Sequence, residues 1–376
     1  MEMDLCDICN TPAEGNTITA EQMRMVKNKG YSPFKDQPVD SFRIWRDLVN
    51  QSQTDWNLCP DCAAKIAPYL LPGPISLQSL SDVPGSNILR GHEQRVNDAA
   101  VSPDGRLVLT CSWDSTVRLW DFNTGKQISC FREHKDFVQV VAFHPNGRIA
   151  ASAGADRVIR LWDVDRGTVL HRLQGHSFTV FDLAFSLDGA WLVSGSGDNT
   201  VRLWDTASGK QIRKFGSLFG LRHKDGVQSV AFSPDSRRVI SIGRTAILWD
   251  TANGQSLHAF GGSFLRRGLF LDDGRQSIFS HRGGFLVYDT STGALLESLA
   301  PESLAGADIC SFVFTPNKQL LACASRDVII YDLDTRKTIK ELKGHGEVVN
   351  SISVSTDGKH AATDSDDWTA RTWLLE

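Results

Sequence analysis

One punctuation mark occurs seven times along this chain. A turn of the Ser-Pro-Asp-Gly type is followed by a short apolar run and then by Trp-Asp or a close variant. The turns centre on Asp104, Asn146, Asp188, Asp235, Asp273, Asn317 and Asp357, so the steps between them are 42, 42, 47, 38, 44 and 40 residues. The aromatics that follow are Trp120, Trp162, Trp204, Trp249, Tyr288, Tyr331 and Trp373. Units of this length cannot bury a core alone, so they must stack on one another, and this constrains the fold more than the total length of 376 residues does.

The third repeat shows what one unit contains. Gly175-His176 opens it; Val180 to Phe185 forms an apolar run; Ser186-Leu187-Asp188-Gly189 turns the chain; Trp191 to Ser196 and Val201 to Asp205 follow; and Gly209 to Phe215 leads onward. Short runs of Val, Ile, Leu and Phe bounded by Gly, Asp or Asn predict strands joined by tight hairpins, four to a unit. A Gly-His opening, a Trp-Asp close and a period of about 40–45 residues resemble the WD-repeat propellers. The resemblance implies an all-β fold: a seven-bladed β-propeller of four-stranded antiparallel blades. It also implies that a His, a Ser or Thr, an Asp and a Trp share one hydrogen-bonded chain. Four repeats carry that set: His92, Thr110, Asp114 and Trp120; His134, Ser152, Asp156 and Trp162; His176, Ser194, Asp198 and Trp204; His345, Thr363, Asp367 and Trp373. A His–Asp–Ser grouping also suggests a hydrolase, but its fourfold recurrence at one period suits a structural device rather than an active site.

The middle of the array departs from the pattern. Repeat four keeps His223 and Trp249 but reads Ser241-Ile242-Gly243-Arg244-Thr245, two residues short and without the turn Asp. Repeats five and six lose Gly-His, end in Tyr288-Asp289 and Tyr331-Asp332, and have shortened turns at Arg282-Gly283-Gly284 and Ser325-Arg326-Asp327. Drift tolerated by shared stacking is the expectation, with a specialised binding sector as the alternative. Residues 87–90 precede the first Gly-His as an outer strand would. They are expected to complete the last blade, whose third strand ends near Trp373, and so to close the ring without an open edge.

Residues 1–72 fall outside the repeat. Cys6-Asp7-Ile8-Cys9 and Cys59-Pro60-Asp61-Cys62 supply four thiolates, a donor set for a structural Zn2+ held by Cys6, Cys9, Cys59 and Cys62. Helices are expected from Thr19-Ala20-Glu21-Gln22 to Gly30, over residues 41–51, and from Cys62 to Pro68. The expectation is a small, mainly helical zinc-ribbon or treble-clef-like module. An iron–sulfur cluster takes the same donors. Four thiolates leave no open position for catalysis. The stretch 73–86, rich in Pro, Gly and Ser, reads as a linker to the propeller at 87–376. Cys111, Cys130, Cys310 and Cys323 lie singly in apolar runs and read as small hydrophobes.

Composition narrows the function. The net charge is -4, and residues 1–80 hold seven Lys and Arg against ten Asp and Glu, so no basic stripe favours nucleic acid. No run approaches a membrane span, and the start lacks a signal peptide, so a cytoplasmic monomer is expected. The resemblance implies a rigid ring whose faces bind proteins. On the face carrying the His and the turn Asp, the candidate partner-binding residues are Arg95, Trp113, Phe137, Phe178 and Asp225. The expectation is a non-enzymatic scaffold or adaptor. The competing reading is a regulatory or catalytic protein with a small-molecule site in the channel or at the domain junction.

Overall fold

The computed structural model describes residues 16–18, 56–58, 86–216, 221–262, 264–271 and 274–375. The chain divides into two compact units, Met1–Leu80 and Ser81–Glu376. In the first, Asn16–Ile18 pairs antiparallel with Trp56–Leu58, placing Asn16 opposite Leu58. The four N-terminal cysteines, the three expected helices and turn residue Asp273 lie outside the described residues.

The described residues of the second unit form seven four-stranded antiparallel sheets. Blade 1 is Val96–Val101, Leu107–Ser112, Val117–Asp121 and Gln127–Phe131; blade 2 is Val138–Phe143, Ile149–Gly154, Ile159–Asp163 and Thr168–Leu173. Blade 3 is Val180–Phe185, Trp191–Ser196, Val201–Asp205 and Gln211–Phe215; blade 4 is Ser229–Phe232, Arg238–Ile242, Ala246–Asp250 and Ser256–Phe260. Blade 5 is Gly268–Leu271, Gln276–His281, Gly284–Asp289 and Leu295–Leu299; blade 6 is Ile309–Phe314, Gln319–Ala324, Asp327–Asp332 and Lys337–Leu342. Blade 7 takes Val349–Val354, His360–Ser365 and Ala370–Leu374 from the end of the chain and its outermost strand, Ser86–Leu89, from before blade 1.

The ring also closes through its innermost strands. Ala99 and Val101 donate backbone N–H groups to the Ser351 and Ser353 hydroxyls at 3.3 and 2.8 Å, joining blade 1 to blade 7. Closure leaves no sheet edge open at the seam. The core is a set of layers, each between two neighbouring blades. Leu89, Val96, Val108, Trp120, Phe122, Ala362 and Ala370 fill the layer between blades 7 and 1. Inner strands are buried on both faces, as Leu107–Ser112 is, and outer strands alternate, as Thr168–Leu173 does.

Antiparallel order sends successive connections to opposite ends of the ring. The Ser-Pro-Asp-Gly turns join the first and second strands and gather at one end. There Ser102, Ser186, Ser233 and Ser355 donate their hydroxyls to Asp104, Asp188, Asp235 and Asp357 at 2.5–2.7 Å. The turns between second and third strands share the other end with the approaches to each first strand. That second end carries every candidate face residue.

Candidate functional site

The four complete sets are pins, and their geometry recurs closely. Trp120, Trp162, Trp204 and Trp373 donate Nε1–H to Thr110, Ser152, Ser194 and Thr363 at 2.7–2.9 Å. Those hydroxyls lie 2.7–2.8 Å from the Nε2 atoms of His92, His134, His176 and His345. The Nδ1 atoms lie 2.9–3.0 Å from Asp114, Asp156, Asp198 and Asp367. Indole N–H can only donate, so one proton direction satisfies the chain: indole to hydroxyl, hydroxyl to Nε2, Nδ1–H to carboxylate. Burial holds the His92, His134 and His176 imidazoles below the ordinary histidine value, against the pull of their Asp partners. Burial also pushes the Asp carboxyls up, but hydrogen bonds and charge from the His outweigh it, and Asp156 and Asp367 come down to about 2. Each hydroxyl is held between an indole and a neutral imidazole, with no nucleophile left over.

Three of the non-repeated histidines are also structural. His144, His171 and His258 donate Nε2–H to the carbonyls of Gly189, Ala207 and Thr290 in the next blade, at 2.8–3.0 Å.

Three of the five expected face residues come together. The Arg95 guanidinium lies 5.5 Å from the Trp113 ring centre, and Trp113 lies 5.6 Å from Phe137. Arg95 reaches back to blade 7, with Nε 2.7 Å from Asp366 and Nη2 3.3 Å from Asn350. The Trp113 N–H donates to the Arg95 carbonyl at 3.0 Å, which ties the turn of blade 1 to its entry loop. This arc crosses blades 7, 1 and 2, and Trp113 is 45% exposed. Phe178, 55% exposed, sits apart over its own blade's turn, where a Cβ on Gly197 would meet its ring. Asp225 is separate again: it borders a cavity of about 620 Å³ with Arg244, Phe264 and Arg266.

Sequence reasoning missed Asp366, Asn350 and Trp368. Trp368 occupies the turn position of Ser115, Arg157 and Asn199, and all four have φ of 64–69°. A bulky residue in the left-handed region is rare, and such strain gathers at functional positions. The available signal was a Trp where Ser, Arg and Asn serve the turn in blades 1, 2 and 3.

The channel carries charge of another kind. Asp98, Asp182 and Arg267 hold the same place on the first strands of blades 1 and 3 and at the entry to blade 5, around a cavity of about 390 Å³. Asp98 accepts from Val141 N–H at 2.9 Å and from the Ser351 hydroxyl at 2.6 Å, and Asp182 accepts from Val230 N–H at 2.8 Å. Both carboxylates are bonded to the channel wall and link neighbouring blades.

A family model described as WD domain, G-beta repeat, matches residues 86–121, 125–163, 167–205, 215–250 and 336–373, half of the chain. The matches pass over the strands of blade 5 and the first three of blade 6, the blades without the His, hydroxyl and Trp. Cross-pathway control WD-repeat protein 2 of Flammulina velutipes is 55% identical over 38 residues, 10% of this chain and 12% of that protein. Ribosome assembly protein 4 of Saccharomyces cerevisiae is 46% identical over 43 residues, 11% of this chain and 8% of that protein. The chain thus spans about a tenth of the length of these curated relatives.

Proposed function

The chain belongs to the WD40 family of WD-domain, G-beta repeats, and from that membership we propose that it is a non-enzymatic scaffold recruiting a protein partner to the Trp113 face of its ring. The observation that carries this reading is the arc of Asp366, Arg95, Trp113 and Phe137. It presents two aromatic rings tilted at 34° to one another, with an Arg already oriented by a carboxylate. Side chains held in place before binding lose little entropy on docking, and Trp, Tyr and Arg dominate interface energetics. Phe178 and Asp225 extend the candidate surface toward blades 3 and 4.

Two features weigh against a catalytic reading. Every His of a complete set is bonded at both ring nitrogens, and the channel carboxylates are used by the wall. Among the described residues no helix is long and apolar enough to cross a membrane. A cytoplasmic, monomeric protein that does not bind nucleic acid is part of the proposal.

So is a structural Zn2+ held by Cys6, Cys9, Cys59 and Cys62, in a module of residues 1–72 joined to the ring by 73–86. Four thiolates in two Cys-x-x-Cys pairs suit tetrahedral zinc. The pairing of Asn16 with Leu58 supports the reading, because it returns the chain to the residue before Cys59 at a point seven residues beyond Cys9. One zinc per chain, lost in Cys59→Ser with the ring's melting unchanged, is the expected result; a folded, reduced protein without zinc would contradict it.

The scaffold reading is tested by affinity capture from the native host's lysate, with a Trp113→Ala/Phe137→Ala variant in parallel. A partner held by the wild type and lost by the variant supports the arc. Equal retention moves the contact elsewhere on the ring.

A further inference from the structure

The turns between second and third strands differ in charge around the ring. In blades 1, 2, 3 and 7 they hold Asp114, Asp156, Asp198 and Asp367, and each carboxylate is taken by the histidine of its own blade. The shortened turns of blades 4, 5 and 6 are closed by Ile242 against Ala246, His281 against Gly284 and Ala324 against Asp327. Each of these turns carries an exposed arginine: Arg244, Arg282 and Arg326. Arg244 and Arg282 have no ion-pair partner among the described residues. Arg326 pairs with Glu347 at 3.4 Å, and Arg266, on the approach to blade 5, pairs with Asp308 at 3.2 Å. Exposed pairs of this kind are worth little, so both guanidiniums can turn to another carboxylate at small cost. Three consecutive blades therefore present available guanidiniums at one end of the ring, in a chain whose net charge is -4.

Between blades 4 and 5 the same end opens into the cavity of about 620 Å³ that Arg244, Phe264 and Arg266 border. Phe264 is the most exposed large hydrophobic residue among those described, at 85%, and its φ of 59° is left-handed. A ring left in water forfeits the burial that aromatics usually contribute, and a left-handed backbone adds strain to a bulky residue. Both costs fall on one side chain at the rim of a cavity, where strain is most often tied to function. Its neighbour Leu265 is 3% exposed and packs with Phe260 and Phe279, so the loop is anchored while Phe264 is left out. Acids are present as well: Asp225 on the cavity, with Asp308 and Asp327 beyond it. They divide the positive surface into separate cations, an unfavourable track for a continuous phosphate backbone.

We propose that the face over blades 4 to 6 binds a short, extended acidic segment of a partner protein. Its carboxylates meet Arg244 and Arg266, an apolar side chain between them covers Phe264, and further carboxylates reach Arg282 and Arg326. The planar guanidinium fork matches a carboxylate in two parallel hydrogen bonds, and opposite charge steers the segment in. Cations set one to a blade suit acids spread along a chain, whereas a single phosphate suits cations gathered at one point. Only the assignment of the segment to a partner protein rests on the scaffold reading.

The full chain is titrated, at constant ionic strength, into a fluorescein-labelled, blocked Glu-Glu-Phe-Glu-Glu peptide and into its Lys-Lys-Phe-Lys-Lys counterpart. Anisotropy should show saturable binding of the acidic peptide and none of the basic one. Arg244→Glu/Arg266→Glu should weaken the binding on the order of tenfold. Phe264→Ala should weaken it on the order of fivefold, with the melting temperature no lower than the wild type's. Arg148→Glu/Arg237→Glu makes the same change of charge at the opposite end of the ring and should leave the affinity unchanged. No binding of the acidic peptide, or equal binding of both, overturns the proposal. So does an affinity undiminished in Arg244→Glu/Arg266→Glu, or lowered equally by the pair at the far end. A phosphoserine peptide that binds where the glutamate peptide does not would overturn the assignment to carboxylates. A single-stranded oligonucleotide that binds more tightly would overturn the assignment to a protein. None of these readouts involves Trp113 or Phe137, so failure here is distinguishable from failure of the arc.

Discussion

Blades 1, 2, 3 and 7 are held by polar chemistry, whereas blades 5 and 6 are held by packing, and blade 4 stands between. Register makes the comparison position by position. Opposite Thr110, Ser152, Ser194 and Thr363 stand Arg118, Arg160, Arg202 and Arg371. At the same register in blades 4, 5 and 6 stand Ile247, Leu286 and Ile329. Within this ring the turn Asp and its Arg are therefore present together or absent together. Electrostatics accounts for this. Removing one member of a buried pair strands a charge, while removing both for apolar residues is close to neutral. Blade 5 completes the exchange by placing Phe279 where the hydroxyl was and packing it 4.9 Å from Phe260 and 5.7 Å from Tyr288. The Tyr288 hydroxyl bonds the Gly261 carbonyl at 2.7 Å, so no donor is stranded. Blade 4 lacks the pair but has the His, and its Nδ1 is left buried without a partner among the described residues.

The comparison breaks most readily in blade 2, where Arg160 Nη1 lies 2.8 Å from Asp156. Asp156→Ala should cost about 3–5 kcal/mol in urea unfolding, because it strands both Arg160 and the His134 Nδ1–H. Asp156→Ala/Arg160→Ile imitates blade 4 and should recover at least half of that loss. If the double variant is no better than the single one, the paired-loss account is wrong.

The next largest effect contrasts indole with phenol. Trp120→Phe removes a donor to Thr110 and leaves space in a layer where Trp120 is 1% exposed, so about 2–3 kcal/mol should be lost. Tyr288→Phe removes one hydroxyl bond from a cluster that is otherwise aromatic packing and should cost about 1 kcal/mol. Equal costs would mean that blade 5 depends on its polar contact as much as blade 1 does.

Acid and base sharpen the contrast within blade 7 itself. Asp367, like Asp156, has its pKa depressed to about 2, so its contribution is present above the unfolded value near 4 and is lost as pH falls toward 2. Asp364 has the opposite sign. It is fully buried, at a register position that is Cys111, Gly195, Ile242 and Cys323 in other blades. Burial, with the Asp98 charge added, pushes its carboxyl well above the ordinary value. Stability is then lost as pH rises from the unfolded value toward the folded one, by up to about 1.4 kcal/mol per pH unit. Asp364→Asn should match the wild type near pH 4 and exceed it increasingly as pH rises toward 7 in paired denaturation curves. A constant difference across pH would remove Asp364 from the account.

Much of this was legible in the sequence. The period, the four pins and the strand that closes blade 7 follow from residues with fixed spacing and one physical role. The arc was legible in part. Arg95, Trp113 and Phe137 were visible as a Trp and two neighbours at turn positions, but Asp366 and Asn350 meet Arg95 only because the ring brings blade 7 against blade 1. Phe178 was drawn into the same group by position alone, and the structure turns it over its own blade. The partnerless Nδ1 of His223 was half legible: the missing Asp could be read, whereas its burial depends on the packing of the ring.

The smallest expected effect is the one that links strain to binding. Trp368 has φ of 68° in a turn where blade 3 uses Asn199 with φ of 69°. Left-handed backbone costs most residues about 1–2 kcal/mol and Asn less, so Trp368→Asn should stabilise the ring by somewhat under 1 kcal/mol. If the turn were only structural, that gain would be the whole effect. If Trp368 instead belongs to the working face with Trp113, capture of the partner should weaken as stability improves, and the two measurements should move in opposite directions. A variant that is more stable and binds unchanged would leave the strain without a functional reason and confine the face to Arg95, Trp113 and Phe137.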